Sequence, residues 1–186
     1  MLAEEDRAPL HAGQIRTTIG DMPGPVTDAR AGLLRLRYHE RFGGRELPVP
    51  VVAIAEDLCG LAVEETTDLD VSGLLLPAER RVFVNGAEPP QRRRFTLAHE
   101  LGHWICQCLD GAAAPIYCRA EEVSLDPAVK ALEREANVFA AELLMPEKEV
   151  RAVWVGDPDA CAERFDVSGE AMRWRLFSFG LGERPV

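Results

Sequence analysis

At 186 residues the chain suits one domain with a hydrophobic core, and 47% apolar residues exclude an intrinsically disordered chain. A net charge of −10 argues against a nucleic-acid binder that works through a broad basic surface, and no apolar run approaches the roughly 18 residues that span a bilayer. The five cysteines are odd in number, and the opening MLAEEDRAPLHAG is acidic with no apolar signal segment. Both predict reduced thiols and a cytoplasmic protein.

Residues 1–25 mix charge, Gly and Pro without periodicity and read as a flexible arm. A helix is predicted from about Thr27 to Phe42, with Leu33, Leu34, Leu36 and Tyr38 on its apolar face. GGRELPVP reads as a loop. A short helix follows through Ile54 and Leu58, with Gly60 placed to end it. Residues 61–85 read as β: Leu61-Ala62-Val63, then Gly73 to Leu76, then Arg81 to Val84, before the turn chemistry of Asn85-Gly86. These strands predict a small antiparallel three-stranded sheet. From Pro90 the pattern is helical. One helix covers about Gln91 to Leu109 and carries Arg92, Arg93 and Arg94 in a solvated first turn. A second starts at the capping residue Asp126 with Pro127 at its first position, and Pro146 ends it. Two short helices finish the chain, the later one starting near Ser168.

Residues 99–103 read His-Glu-Leu-Gly-His. On a helix His99 and His103 share one face, so both imidazoles can reach one metal ion. Glu100 lies to the side of that pair, where a carboxylate can hold and deprotonate a metal-activated water without being a ligand. A catalytic zinc needs a third protein ligand and an open position. No histidine follows His103, so a carboxylate or a thiolate is expected.

The second helix offers Glu133, Glu135 and Glu142. On a wheel at about 100° per residue, Phe139, Leu132, Leu143, Ala136, Val129, Ala140 and Leu144 form one apolar arc. Glu133 falls inside it, and Glu135 and Glu142 fall outside. A carboxylate on a core-facing stripe is costly unless it is paired or metal-bound, which favours Glu133 as the ligand over a buried salt bridge. Asn137, one turn beyond Glu133, can hydrogen-bond a ligand or serve as a packing amide. A competing set, His99, His103 and Cys106 with Cys118, would make a closed structural site. Against it, Cys106 and Cys108 read as small buried hydrophobes.

The stretch RRRFTLAHELGHW (92–104), followed by EREANVFAAELLMP (133–146), resembles the ImmA/IrrE family of zinc-dependent metallo-endopeptidases. Ser72-Gly73-Leu74, VFVN (82–85) and RFDVSGEAM (164–172) are also similar to that family. The resemblance implies His99 and His103 as metal ligands, Glu100 as the catalytic acid/base and Glu133 as the acidic ligand, with Glu135 a close alternative. It implies zinc, with manganese as the alternative because both accept His and carboxylate ligands. It also implies a substrate: members are often paired with, or fused to, helix-turn-helix repressors of the XRE type, and cleave them to induce stress-response or mobile-element genes. No helix-turn-helix domain is legible before the sheet, so the repressor is expected to be a separate chain, with no direct contact to nucleic acid or membrane. Tyr117 is a candidate for assisting the oxyanion.

The expected fold class is α+β, with the sheet packed on the HELGH helix. Residues 26–150 form a zincin-like metallopeptidase domain in this reading, and 151–186 a C-terminal helical subdomain. The alternative function is a non-catalytic, zinc-containing regulator that binds a transcription factor. A metal-dependent hydrolase of non-protein substrates is a third.

Overall fold

The computed structural model describes residues 26–43, 47–108, 116–118 and 126–185, so the arm expected over 1–25 lies outside the described residues. Helix α1 (Val26–Phe42) buries Ala31 and Leu34 and lays Leu33, Tyr38 and Phe42 against the core. Leu36, expected on that face, is 51% exposed. Two residues beyond Leu34 is about 200° around a helix, which carries Leu36 to the outer side. Helix α2 (Val51–Ala53) continues as a wider π-helical segment (Ile54–Leu58) and buries Val51, Ile54 and Leu58. Gly60 ends it at φ +65°, a left-handed conformation that a residue with a Cβ adopts at a cost.

The sheet is built from β1 (Ala62–Thr66), β2 (Gly73–Leu76), β3 (Arg81–Asn85) and a short β4 (Ile116–Cys118), in the order β1-β3-β2-β4. It corrects the expected sheet in two respects: the described residues form four strands, and β1 pairs with β3 in parallel. β2 is antiparallel to both of its neighbours. The reason is the way the chain returns. A tight turn at Pro77–Glu79, closed by Arg80 at φ +55°, folds β3 back beside β2. Residues 67–72 step over the place that β3 then fills. Two strand spacings are about 10 Å, well within the reach of six residues. Apolar alternation marks a strand, but it does not reveal which neighbour the strand takes.

Val82, Val84, Leu75 and Gly73 share the buried face of the sheet. Helix α3 (Pro90–His103) lies on that face and runs on as a π-helical turn (Trp104–Cys108), with every residue from Thr96 to Ile105 buried. Its first-turn arginines are individually answered. Arg92 faces Glu88 at 3.7 Å, Arg93 faces Glu65 at 2.5 Å, and Arg94 faces Asp166 at 3.6 Å while donating to the Val49 carbonyl.

Helix α4 (Pro127–Leu144) starts as expected: the Asp126 carboxylate accepts from the Ala128 N–H at 2.8 Å, and Pro127 sits at the first position. It crosses α3 at small residues. A Cβ on Gly102 would stand 3.0 Å from Ala136 Cα, so the two backbones touch there. Three helices follow rather than two: α5 (Glu147–Val153), α6 (Pro158–Phe165) and α7 (Gly169–Ser178). Ser168 caps α7. Phe165, Met172 and Leu176 join the same buried cluster as the strands and α3. No helix among the described residues is long and apolar enough to cross a membrane.

Candidate active site

One turn of α3 brings His99 and His103 together, with Nε2 atoms 2.9 Å apart and rings at 82° to one another. α4 delivers Glu133 from across the helix pair. Its Oε2 lies 3.2 Å from His99 Nε2 and its Oε1 3.3 Å from His103 Nε2. The histidines are 3% and 1% exposed and the Glu133 side chain 38%, so the centre is sealed behind the imidazoles and open beside the carboxylate. Among the described residues these three have ligand atoms mutually within 4.8 Å, and neither Glu135 nor Cys106 belongs to the group.

The far side of each ring decides what this cluster accepts. The Gln107 amide nitrogen donates to the Leu132 carbonyl at 3.1 Å, which fixes its oxygen as the atom 2.7 Å from His103 Nδ1. That oxygen can only accept, so Nδ1 carries the hydrogen and the Nε2 of a neutral His103 presents a lone pair. His99 Nδ1 meets the Asn137 side-chain oxygen at 3.0 Å in the same manner. Two imidazole lone pairs and a carboxylate therefore converge on one point. That donor set fits a divalent cation: borderline nitrogen ligands and a hard oxygen, as zinc and manganese take. Hydrogen bonds from both histidines press the Glu133 carboxyl down to about 2. His103 is raised: burial opposes its charge, but Glu133, Glu100 and Gln107 outweigh it.

Glu100 is fully buried, and among the described residues neither of its carboxylate oxygens has a hydrogen-bond partner. Burial, with the Glu133 charge adding and His103 opposing, pushes its pKa up to about 8. A carboxyl held at that value beside a metal-type donor set is suited to taking and returning a proton near neutral pH. Gly73 makes the space for it. A Cβ there would lie 2.7 Å from Glu100 Oε1 and 2.6 Å from Thr96 Cγ2.

Further residues weighed in the sequence are also placed, while the Cys118 side chain lies outside the described set. Asn137 reaches His99 as a hydrogen-bond partner. Cys106 sits apart, beside Arg30 and Glu135, with its thiol pushed up to about 11, first by burial. Tyr117 lies in β4 in register with Leu74, and its side chain is outside the described set. Two contributors had no role in the site in the sequence reading. Gln107 stands one turn beyond His103, a spacing that could have shown it. Gly73 is a glycine inside a strand, a signal of close approach.

Residues 61–177 match the family model described as the IrrE N-terminal-like domain, a peptidase family. The chain belongs to the ImmA/IrrE family. Two proteins similar to this ImmA/IrrE chain are named radiation response metalloprotease IrrE. The one from Deinococcus radiodurans is 34% identical over 100 residues, covering 54% of this chain and 27% of the relative. The one from Deinococcus deserti is 30% identical over 153 residues, covering 82% of this chain and 50% of the relative. The chain thus spans half or less of the length of either. A solved Mycobacterium tuberculosis transcriptional regulator shares the fold, with a TM-score of 0.60 at 22% identity over 90% of this chain and 52% of that one.

Proposed function

We propose that this chain is a zinc-dependent metallo-endopeptidase that cuts a protein substrate, with His99, His103 and Glu133 as ligands and Glu100 as the catalytic acid/base. The observation that carries the reading is the convergence of three acceptor atoms beside an unpartnered buried carboxylate. A divalent ion held by those atoms supplies Lewis acidity to the scissile carbonyl and to the attacking water. Glu100 takes the proton from that water and hands it to the departing amine nitrogen as the carbon–nitrogen bond breaks. Gly73 and the buried face of the sheet hold Glu100 at the angle this transfer needs. Asn137 keeps the Nδ1 of His99 protonated, so that its Nε2 faces the ion. The open side beside Glu133 is where an extended peptide enters.

The proposed substrate is a separate helix-turn-helix repressor, met in the cytoplasm, whose cutting induces stress-response genes. The names of the two curated relatives, radiation response metalloproteases, support that setting. The test is cleavage of the helix-turn-helix protein encoded beside this gene, with wild type and Glu100→Gln compared under zinc and under manganese. A discrete cut by wild type alone, with equal metal content in both proteins, is expected. Tight binding with no cut under either metal would replace the enzyme with a regulator that only binds its partner.

A further inference from the structure

The metal-site reading leaves one polar residue between the two ligand-bearing helices with no assigned task. Gln107 follows His103 by one helical turn, at the π-helical end of α3. Its amide makes two bonds of opposite sense, accepting from His103 Nδ1 at 2.7 Å and donating to the Leu132 carbonyl at 3.1 Å. Leu132 immediately precedes Glu133. Its carbonyl, inside α4, has a second lone pair beyond its helical bond and can hold a side-chain donor. Residues 126–132 are all exposed, so side-chain packing does little to fix this stretch of α4.

We propose that Gln107 is the positioning residue of the centre, acting through His103. The proposal rests on the metal-site reading above. The Leu132 carbonyl locks the rotation of the amide, since the opposite rotamer would set oxygen against oxygen and nitrogen against the Nδ1 hydrogen. So locked, the amide oxygen holds the hydrogen on Nδ1 and leaves Nε2 free for the ion. His99 receives the same service directly from α4 through Asn137. For His103, Gln107 relays the hold from the same helix. Partners behind ligating histidines set ring orientation and ligand basicity, and their loss weakens metal binding by about 10- to 100-fold.

The experiment is a chelator competition for zinc and cobalt on the full chain, with wild type, Gln107→Met, Gln107→Glu and His103→Ala. Melting of the metal-free proteins and the cobalt absorption spectra accompany it. Methionine keeps the length and removes both polar atoms. Glutamate keeps an acceptor for Nδ1–H in either rotamer, but replaces the bond to Leu132 with an oxygen facing that carbonyl. Gln107→Met is expected to bind about 10- to 100-fold more weakly with a shifted cobalt spectrum. Gln107→Glu is expected to return to within a few-fold of wild type with its spectrum restored. Wild-type affinity in Gln107→Met would overturn the proposal. So would equal weakening in both variants in step with their metal-free melting, which would make Gln107 a helix tie. His103→Ala distinguishes the deeper failure: if it binds metal like wild type, the centre itself is misassigned and the proposal falls with it.

Discussion

Gly73→Ala adds one methyl group at the point where the sheet meets the proposed acid/base. The new Cβ would stand 2.7 Å from Glu100 Oε1 and 2.6 Å from Thr96 Cγ2, where ordinary contact begins at 3.4 Å. Thr96 is buried on the same helix and branched at Cβ, so it yields little. Glu100 must therefore give way by about 0.7 Å, and a displacement near 1 Å at a reacting group costs about 100-fold in rate. That is about 2.7 kcal/mol of barrier. The fold should bear the change better. Overpacking costs about 1–3 kcal/mol, while replacing glycine recovers about 0.4–1 by restricting the unfolded chain. The three proposed metal ligands are untouched, so zinc content should stay at the wild-type level. The assay is single-turnover cleavage alongside metal analysis and thermal melting. Wild-type turnover in Gly73→Ala would refute the claim that this glycine sets where Glu100 stands, and loss of zinc would show that the strand supports the ligands as well.

Gly102→Ala should behave differently, because its Cβ meets backbone, 3.0 Å from Ala136 Cα and 3.1 Å from Ala136 O. Separating α3 from α4 should cost about 1–3 kcal/mol and weaken metal binding together with stability; melting and chelator competition read both. Glu133→Ala should lower zinc affinity while Glu135→Ala leaves it unchanged, and the reverse order in the same competition would move the ligand. Stripping zinc from protein held at about 1,000 times its Kd should remove about 4 kcal/mol of stability. In a chain of this size that is roughly 8–16 °C of melting temperature, and no shift on chelation would argue against a tightly held ion. Burial pushes the Cys59 thiol up to about 12 and the Cys108 thiol to about 11. At pH 8 the thiolate fraction is then at most about one in a thousand. Alkylation should spare both in the native protein and modify both in denaturant, as peptide mass mapping would report.

The clustering of His99, His103 and Glu133 was legible because chemistry and spacing coincide. Two histidines four apart declare a helix face, and a glutamate inside an apolar arc declares a cost that a metal removes. The same wheel overreached for Val129 and Leu132, which are 38% and 44% exposed. Periodicity gives the direction in which a side chain points, but α4 gains its packing partners only from about Ala136 onward. Leu36 failed because apolar character was counted without its angle. The parallel pairing of β1 with β3 was hidden for a topological reason: it depends on where residues 67–72 cross, and no alternation encodes that. Gln107 was passed over because an amide has meaning only through its two partners, one of which is a backbone carbonyl from another helix.

The three arginines that open α3 have a consequence beyond their modest individual strengths. Consecutive residues leave a helix about 100° apart, so Arg92, Arg93 and Arg94 sample about 200° of its circumference. Their partners sit on different parts of the molecule: Glu88 before the helix, Glu65 on the edge strand β1 and Asp166 between α6 and α7. Three stays at different bearings fix the azimuth of a cylinder, which apolar burial alone holds loosely. Side-chain tips lie about 6 Å from a helix axis, so a 10° roll would carry an imidazole nitrogen about 1 Å. The bearing set by the first turn is thus the aim of His99, Glu100 and His103 further along the same rod.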